Sequence, residues 1–450
     1  MRYYLAYISM IFLPFLIALN FVFIGFLGIF AYVKIKINLP FFLFVAFIVY
    51  DYMILFLLNL NIQFEFVIFQ GFMLLMVGVY FIYFKLYCKK YLFIVMAFFM
   101  LSSIQGFMAG SSIVNVINFI KALFVFPLLL ILQLKFKWTL DYRHIGLIIF
   151  VFLASLGLDA VQSIYGFKKF FIDFGYDLVY HQRGISELGE VPIGTFTNDA
   201  VSNELKRRVF GIFLSADKFA YLIYVLNILL FVIIFNKFRY NLFIFTILSL
   251  GTLFLLYSTG VKAVILNYLV FLYSVFLYIF CRFENFNVRL LVILLSLFIA
   301  AFVLINFLTF DLSTSGAIQH IWGLMNPIYN IFSSAQTFLV GGGIGITKSG
   351  IPAIGDVASK ADAGNESFIG LLVYQTGVIG VISLVYLVKI IDTLYRDFNQ
   401  YYLVSSILLG VYASSLFSEA VLSFFQISCY LLSIQIIFSF KKKIHSTSYD

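Results

Sequence analysis

Apolar runs separated by short polar connections recur along the whole chain. A run of about 20 residues in α-helical form spans the hydrocarbon of a bilayer. About thirteen runs approach this length, near positions 5–32, 41–60, 65–84, 91–109, 113–134, 145–165, 212–235, 241–257, 262–281, 290–309, 366–390, 402–417 and 420–438. Hydrophobic residues make up 63% of the chain and charged residues 11%, which excludes a soluble globular domain. We therefore predict an all-α polytopic membrane protein with about 12–14 transmembrane helices.

Cations are concentrated in alternate connections between these runs. Such loops carry Lys34, Lys36, Lys85, Lys89, Lys90, Lys135, Lys137, Arg143, Lys237, Arg239, Arg282, Arg289, Lys389, Arg396 and Lys441 to Lys443. The positive-inside rule assigns these loops and the C-terminus to the cytoplasm. The N-terminus then lies outside, against which Arg2 is a mild contradiction.

Two long polar segments fall on the outer side of this predicted topology. The predicted order is N-terminal transmembrane helices 1–165, a first large outer loop 166–209, central helices 210–309, a second large outer loop 310–365, C-terminal helices 366–440 and a cytoplasmic tail 441–450. Loops longer than about 15 residues are commonly functional or disordered. Because both loops carry mixed charge and face the same side, we expect one shared extracytoplasmic site.

Three consecutive cations, Lys206, Arg207 and Arg208, end the first loop directly before an apolar run. Arginine presents a planar fork of donors that matches phosphate oxygens and keeps its proton. We therefore expect the cluster to bind the diphosphate of a lipid-linked sugar, with Gly211 allowing a close approach of the backbone. The structural alternative is an anchor that meets lipid headgroups.

Two further lysines lie at the start of a predicted span or inside one. Lys262 follows the tight connection Ser258-Thr259-Gly260 on the outer face, where it acts as a second phosphate ligand or extends to the surface. Lys121 shares one helix face with Asn115 and Asn118 inside a span. An ionisable residue in that position indicates either function or a polar stripe toward a neighbouring helix.

The second loop supplies the remaining candidates. Glu366, where the loop enters a span, is placed to deprotonate an acceptor hydroxyl or to stabilise a helix N-terminus. His320 and Trp322 are suited to sugar binding or to an interfacial position. The glycines of Gly341–Gly345 lack the context of a nucleotide loop, although their N–H groups remain available to another ligand. No group of His, Cys and carboxylates has metal-ligand spacing, so neither a metal nor another cofactor is expected.

Several of these segments resemble the O-antigen polymerase (Wzy) and O-antigen ligase (WaaL) superfamily, multi-span glycosyltransferases of the GT-C type. The resemblance is best over 206–390. Arg208–Phe213 is similar to the family's Arg-x-x-Gly signature, and Ser258–Ala263 to its Ser-x-x-Arg-like helix start. Phe338–Gly345 is similar to the Gly-x-Gly segment late in the second loop. Glu366, followed by the Gly-x-x-Gly of Gly377–Gly380, resembles the next block.

The resemblance implies a metal-independent transfer of a glycan from undecaprenyl diphosphate to a sugar hydroxyl of another lipid-linked repeat unit. The reaction takes place on the outer face of a bacterial cytoplasmic membrane. Arg208 would stabilise the leaving diphosphate, supported by Arg207 and Lys262, and Glu366 would act as base. The expected partners are the lipid-linked oligosaccharide, the bilayer and a chain-length regulator protein, and no nucleic acid is expected.

Two departures from the family pattern qualify these roles. Ligases carry a histidine where this chain has Glu366, which favours a polymerase. The family often has an arginine before the tryptophan of the second loop, a place held here by Ala317 and His320. Phosphate binding by that loop therefore falls to three other basic side chains, His320, Lys348 and Lys360.

Three other functions remain open. An O-antigen ligase would use lipid A core as acceptor. A lipid-linked oligosaccharide flippase would show cations in the middle of several spans and short loops on both sides. A membrane assembly partner would have no enzymatic activity.

Overall fold

The computed structural model describes the chain in a series of ranges. These are residues 28, 31, 33–59, 66–84, 91–176, 178, 187–188, 191–192, 196–198, 205–207, 209, 211–213, 215–238, 242–282, 288–297, 324–345, 367–395, 402–416 and 423–446.

Helices account for most of the described residues. They are α1 (Leu39–Asn59), α2 (Phe66–Tyr83), α3 (Tyr91–Met108), α4 (Ile113–Phe136), α5 (Tyr142–Tyr165), α6 (Phe167–Asp173), α7 (Ala216–Phe238), α8 (Leu242–Thr259), α9 (Lys262–Ile279), α10 (Val288–Leu297), α11 (324–330), α12 (Ala335–Val340), α13 (Phe368–Tyr395), α14 (Tyr402–Ser415) and α15 (Phe424–Ser446). A 3₁₀ turn, Ile331–Ser333, precedes α12. The helical fold class is therefore confirmed.

Four helices of the described part are long and apolar enough to cross a membrane. They lie at Leu39–Leu58, Tyr142–Tyr165, Ala216–Ile234 and Lys262–Ile279. Further apolar helical stretches of 10–17 residues occur, among them Val288–Leu297 and Leu403–Ser415. These helices identify a membrane-embedded protein. The first predicted run, 5–32, lies almost wholly outside the described residues, and the run 290–309 is described only to Leu297.

The described residues of the predicted first loop include two pairs of short strands. Glu187–Leu188 (β1) pairs with Val191–Pro192 (β2), and Phe196–Asn198 (β3) pairs with Leu205–Arg207 (β4), both antiparallel. The sequence did not predict these strands, because segments of two or three residues are too short to show an alternating pattern.

The chain divides into two compact units. Unit 1 comprises residues 1–83, 135–265 and 424–450, and unit 2 comprises 84–134 and 266–423. In unit 1, α7 packs against α5, α8 and α15, and α15 also packs against α1. Aromatic rings fill this core, with the Tyr50 and Phe69 rings stacked at 4.1 Å between centroids. In unit 2, α13 packs against α3 and α12 and is bent at Gly377, which has φ 60°.

Candidate functional site

The segment that carries the three consecutive cations is held at its start by the β3–β4 pair of unit 1. Lys206 stands opposite Thr197, and Arg207 stands opposite Phe196. This pairing fixes the backbone that leads into Arg208, which itself lies outside the described residues. Two of the three clustered cations therefore lie on a hydrogen-bonded strand.

The same segment is joined to a second cationic segment just after Arg208. The backbone N–H of Val209 donates to the carbonyl of Ser258, at 3.3 Å. Ser258 belongs to the tight connection between α8 and α9, in which Gly260 has φ 66° and Thr259 donates through its hydroxyl to Leu256 O. The prediction of two helices joined by this very short turn is confirmed.

Lys262 is the first residue of α9, directly after that turn, and its side chain is exposed. A helix N-terminus carries partial positive charge from the unpaired N–H groups of its first turn. A cation placed there is disfavoured unless an anion offsets both charges. Lys262 therefore lies where a bound anion is stabilised twice, by the side chain and by the helix.

Gly211 is held against α5. Its φ is +58°, and a Cβ added at this position would overlap the Cβ of Ser155. The sequence-based interpretation was that this glycine lets the backbone approach a ligand. In the structure, Gly211 lies close to helix α5 at Ser155. Gly211 therefore positions the segment that follows Arg208.

The start of α7 is fixed by a buried ion pair between Lys218 and Asp51 of α1. The Lys218 Nζ lies 2.5 Å from both carboxylate oxygens of Asp51. The side chain of Asp51 is 1% exposed and that of Lys218 16% exposed, and the ammonium lies 5.8 Å from the centroid of the Phe425 ring. Sequence reasoning missed this pair, because nothing in the sequence links two residues 167 positions apart.

The residue next to Asp51 holds the chain before α7. The Tyr52 hydroxyl donates to the carbonyl of Ile212, at 2.5 Å, and also hydrogen-bonds the Tyr176 hydroxyl. Burial raises the pKa of Tyr176 to about 12, and the Asp51 carboxylate acts in the same direction. The Tyr176 hydroxyl is therefore neutral at physiological pH.

An open depression of about 500 Å³ lies beside α6, which follows α5 directly in unit 1. Gly166, Phe167, Lys169, Ile172 and Asp173 line it. The Tyr165 hydroxyl donates to Asp173 at 2.8 Å, and Lys169 Nζ lies 5.0 Å from the Tyr165 ring centroid. Its two charged side chains are thus engaged locally.

Unit 2 gives a structural role to the predicted glycine segment Gly341–Gly345. Gly342 N donates to Tyr374 O at 2.8 Å, and Gly343 N to Gln375 O at 3.2 Å. Gly345 N donates to the Gln375 side chain at 3.3 Å, and the Gln105 side chain donates to Gly341 O at 2.8 Å. The N–H groups that sequence reasoning left available to a ligand are thus used by α13 and its neighbours.

The glycines in this segment are required by close backbone contacts. A Cβ on Gly343, which has φ +107°, would lie 2.7 Å from Gly106 Cα in α3. A Cβ on Gly377 would lie 2.6 Å from Gly341 N. The Gly-x-Gly and Gly-x-x-Gly segments of the resemblance therefore pack directly against each other.

The structure describes three of the nine predicted site residues. Lys262 is described with its side chain, and Arg207 in β4 and Lys121 in α4 are described by their backbone. The other six, Arg208, His320, Trp322, Lys348, Lys360 and Glu366, lie outside the described residues. Among the predicted site residues, Arg207 and Lys262 lie on the two segments of unit 1 that the hydrogen bond between Val209 and Ser258 joins.

Two backbone segments of unit 1 that carry cations meet at the hydrogen bond between Val209 and Ser258. One contains Lys206 and Arg207 on β4, and the other contains the exposed Lys262 at the N-terminus of α9. Cations fixed on a rigid backbone stabilise a phosphate without having to reorganise. The chain matches no family model, no curated protein and no solved structure.

Proposed function

We propose that this protein is an oligosaccharide repeat-unit polymerase of the Wzy type, acting at the outer face of a bacterial cytoplasmic membrane. Its donor substrate is a glycan carried on undecaprenyl diphosphate, and its acceptor is a sugar hydroxyl of a second lipid-linked unit. The apolar helices support a lipid-embedded enzyme, and the two cationic segments of unit 1 support a diphosphate ligand. The proposal includes about 12–14 spans, two outer loops and a GT-C-like arrangement.

The observation that carries the proposal is the hydrogen bond from Val209 to Ser258. Arg208 immediately precedes Val209, and Lys262 lies four positions after Ser258. One backbone contact therefore brings together two segments that are about fifty residues apart in sequence, each with a cation. A diphosphate, with charge on both phosphoryl groups, is the ligand that two separate cationic segments fit best.

The burial of Asp51 adds to this argument. Its buried carboxylate is paired with Lys218. Fixed cations at a membrane surface attract phosphate groups, because lipid phosphates and lipid-linked diphosphates are the anions present there. The ion pair thus holds the start of α7 in place, a few residues after the segment that carries the basic cluster.

In the proposed reaction the acceptor hydroxyl oxygen attacks the anomeric carbon of the donor sugar. The bond from that carbon to the diphosphate oxygen breaks, and undecaprenyl diphosphate leaves with the electron pair. Arg208, with Arg207 and Lys262, stabilises the negative charge that develops on the leaving group, which lowers the barrier. The hydroxyl proton passes to a base, for which Glu366 remains the predicted residue.

An Arg208→Ala variant tests this function when it is expressed in a strain from which the wild-type gene has been deleted. Loss of one fixed cation at a developing charge reduces the rate by about 10²–10³-fold, so we expect single repeat units on the carrier lipid and no long polymer. Arg208→Lys retains the charge but not the fork, and we expect short chains. Arg143→Ala, on the predicted cytoplasmic side, is the matched control and should leave chain length unchanged.

The lipid-linked glycans of the deletion strain separate polymerase from its alternatives. Single repeat units on the outer leaflet support a polymerase. Full-length chains left on the carrier would identify a ligase, and repeat units retained on the inner leaflet would identify a flippase. Normal polymer length with Arg208→Ala, at normal expression and insertion, would overturn the role of Arg208.

A further inference from the structure

Unit 2 contains an arginine, Arg289 near the start of α10, that is buried without a carboxylate partner among the described residues. We propose that Arg289 and the hydroxyl of Ser405 form a binding site for a phosphate group, with the guanidinium held in place by the hydroxyls of Ser274 and Ser406. The site is independent of the hydrogen bond between Val209 and Ser258 in unit 1, the observation that carries the proposed function.

The guanidinium of Arg289 lies between α9 and α14. Its Nη1 donates to the hydroxyls of Ser274, at 3.2 Å, and Ser406, at 3.4 Å, and its Nη2 donates to the Ser405 hydroxyl at 2.5 Å. The ring of Tyr278 lies 5.4 Å from Cζ. Each described hydrogen-bond partner of this cation is a neutral hydroxyl.

One donor of this side chain is unused. Arg289 is 2% exposed, yet its buried Nε has no hydrogen-bond partner in the described structure. A buried N–H that makes no hydrogen bond costs about 1–3 kcal/mol, and more when the group is charged. The Nε therefore marks the side of the guanidinium at which an acceptor is missing.

The charge of Arg289 leads to the same conclusion. A cation removed from water is strongly disfavoured unless an opposite charge accompanies it. Neutral hydroxyls and an aromatic ring solvate the guanidinium in part but do not neutralise it. Ser405 and Ser406 also lie in the first turns of α14, whose N-terminus adds partial positive charge. The charge of the guanidinium and the partial charge of the α14 N-terminus therefore lie close together, and the described structure contains no anion beside them.

A phosphate group fits this set of donors. A guanidinium binds two phosphate oxygens through parallel N–H bonds, here Nε–H and one Nη2–H. The Ser405 hydroxyl, which accepts from Nη2, can also donate to one of the remaining oxygens. Ser274 and Ser406, whose hydroxyls lie 2.9 Å apart, bind Nη1 and hold the guanidinium from its other side.

The proposed site lies close to the protein surface. Ser405 is partly exposed, and Val288, beside Arg289, is 42% exposed. The charge pattern of the sequence predicts a cytoplasmic location for the connection that contains Arg282 and Arg289. On that side the phosphate comes either from an anionic phospholipid headgroup or from a soluble phosphate compound.

Binding to the purified full chain tests the proposal without reference to polymerisation. The delipidated protein in neutral detergent is titrated with inorganic phosphate, and its thermal midpoint is recorded. In parallel, the protein is reconstituted in vesicles of phosphatidylcholine alone and of phosphatidylcholine with phosphatidylglycerol. A rise in midpoint with phosphate identifies a soluble ligand, and a rise only with phosphatidylglycerol identifies a headgroup.

Two variants and one control assign the effect to this site. Arg289→Gln should abolish the rise. Ser405→Ala keeps the buried charge and removes one hydroxyl, and it should weaken the affinity about tenfold, the effect of roughly 1.4 kcal/mol. Arg282→Gln removes an exposed cation from the same connection and should leave the rise unchanged. No rise in wild type with either source of phosphate, or an equal rise in wild type and Ser405→Ala, would overturn the proposal.

Discussion

Lys218 in the first turn of α7 and Asp51 in the middle of α1 form a buried ion pair through both carboxylate oxygens. The adjacent Tyr52 binds the carbonyl of Ile212, six residues before Lys218. Two neighbouring residues of one helix thus fix both the start of α7 and the chain that leads to it. That chain begins directly after Arg208. The ion pair and the Tyr52 hydrogen bond therefore help to position the residues that we propose bind the diphosphate.

The first prediction concerns the energy of this pair. Lys218→Met or Asp51→Leu leaves one buried charge without its partner, which costs about 3–5 kcal/mol. The double variant replaces both charges by apolar side chains, so we expect it to be less destabilised than the sum of the single variants. The free energy of unfolding in mixed micelles measures the difference.

A matched control uses an exposed lysine of the same unit. Lys169→Met should change the free energy of unfolding by less than about 0.5 kcal/mol, as surface substitutions generally do. If the two substitutions at the ion pair prove additive, the coupling between Lys218 and Asp51 is absent.

The second prediction concerns the contact between Gly211 and α5. Gly211→Ala places a methyl group against Ser155 in a backbone conformation with positive φ, and the two effects together cost about 2–4 kcal/mol. Thermal unfolding of the purified protein measures this cost. We also expect shorter polymer chains, because the segment after Arg208 must shift away from α5.

Gly157→Ala is the control for this substitution, since Gly157 lies in α5 with open space around it. Alanine is favoured over glycine inside a helix by about 1 kcal/mol. The Gly157→Ala variant should therefore be as stable as wild type or more stable. Equal stability of Gly211→Ala and wild type would contradict the packing argument.

The sequence was sufficient to predict the long helices of the described part of the chain, but not the short helices α6, α11 and α12 within the predicted loops. The apolar runs form helices wherever the structure describes them, and the boundary between α8 and α9 lies at the Ser-Thr-Gly connection. Each of these predictions uses only neighbouring residues, because a helix satisfies its backbone hydrogen bonds within one segment. The order of helices is therefore readable from local composition.

The contacts between helices could not be predicted in this way. In a membrane helix that is apolar on every side, no stripe identifies the face that packs inward. Asp51 gave no signal of its partner Lys218, and Gly343 gave none of its partner Gly106. Small residues indicate that two helices pack closely, but they do not identify the neighbouring helix. The charge of its loop predicts that Arg289 lies on the cytoplasmic side. Its burial among serines is seen only in the folded structure.

The third prediction separates two roles of Lys262. If Lys262 binds the leaving diphosphate, Lys262→Ala should reduce the rate of chain extension by about 10–100-fold, a smaller loss than for Arg208→Ala because Lys262 has the supporting role. Lys262→Arg should retain most activity, since the cation at the start of α9 remains. If the side chain only reaches toward the surface, both variants behave as wild type. The rate of polymer growth from purified lipid-linked repeat units distinguishes these outcomes, with Lys169→Ala, an exposed cation of the same unit, as the variant that should extend chains normally.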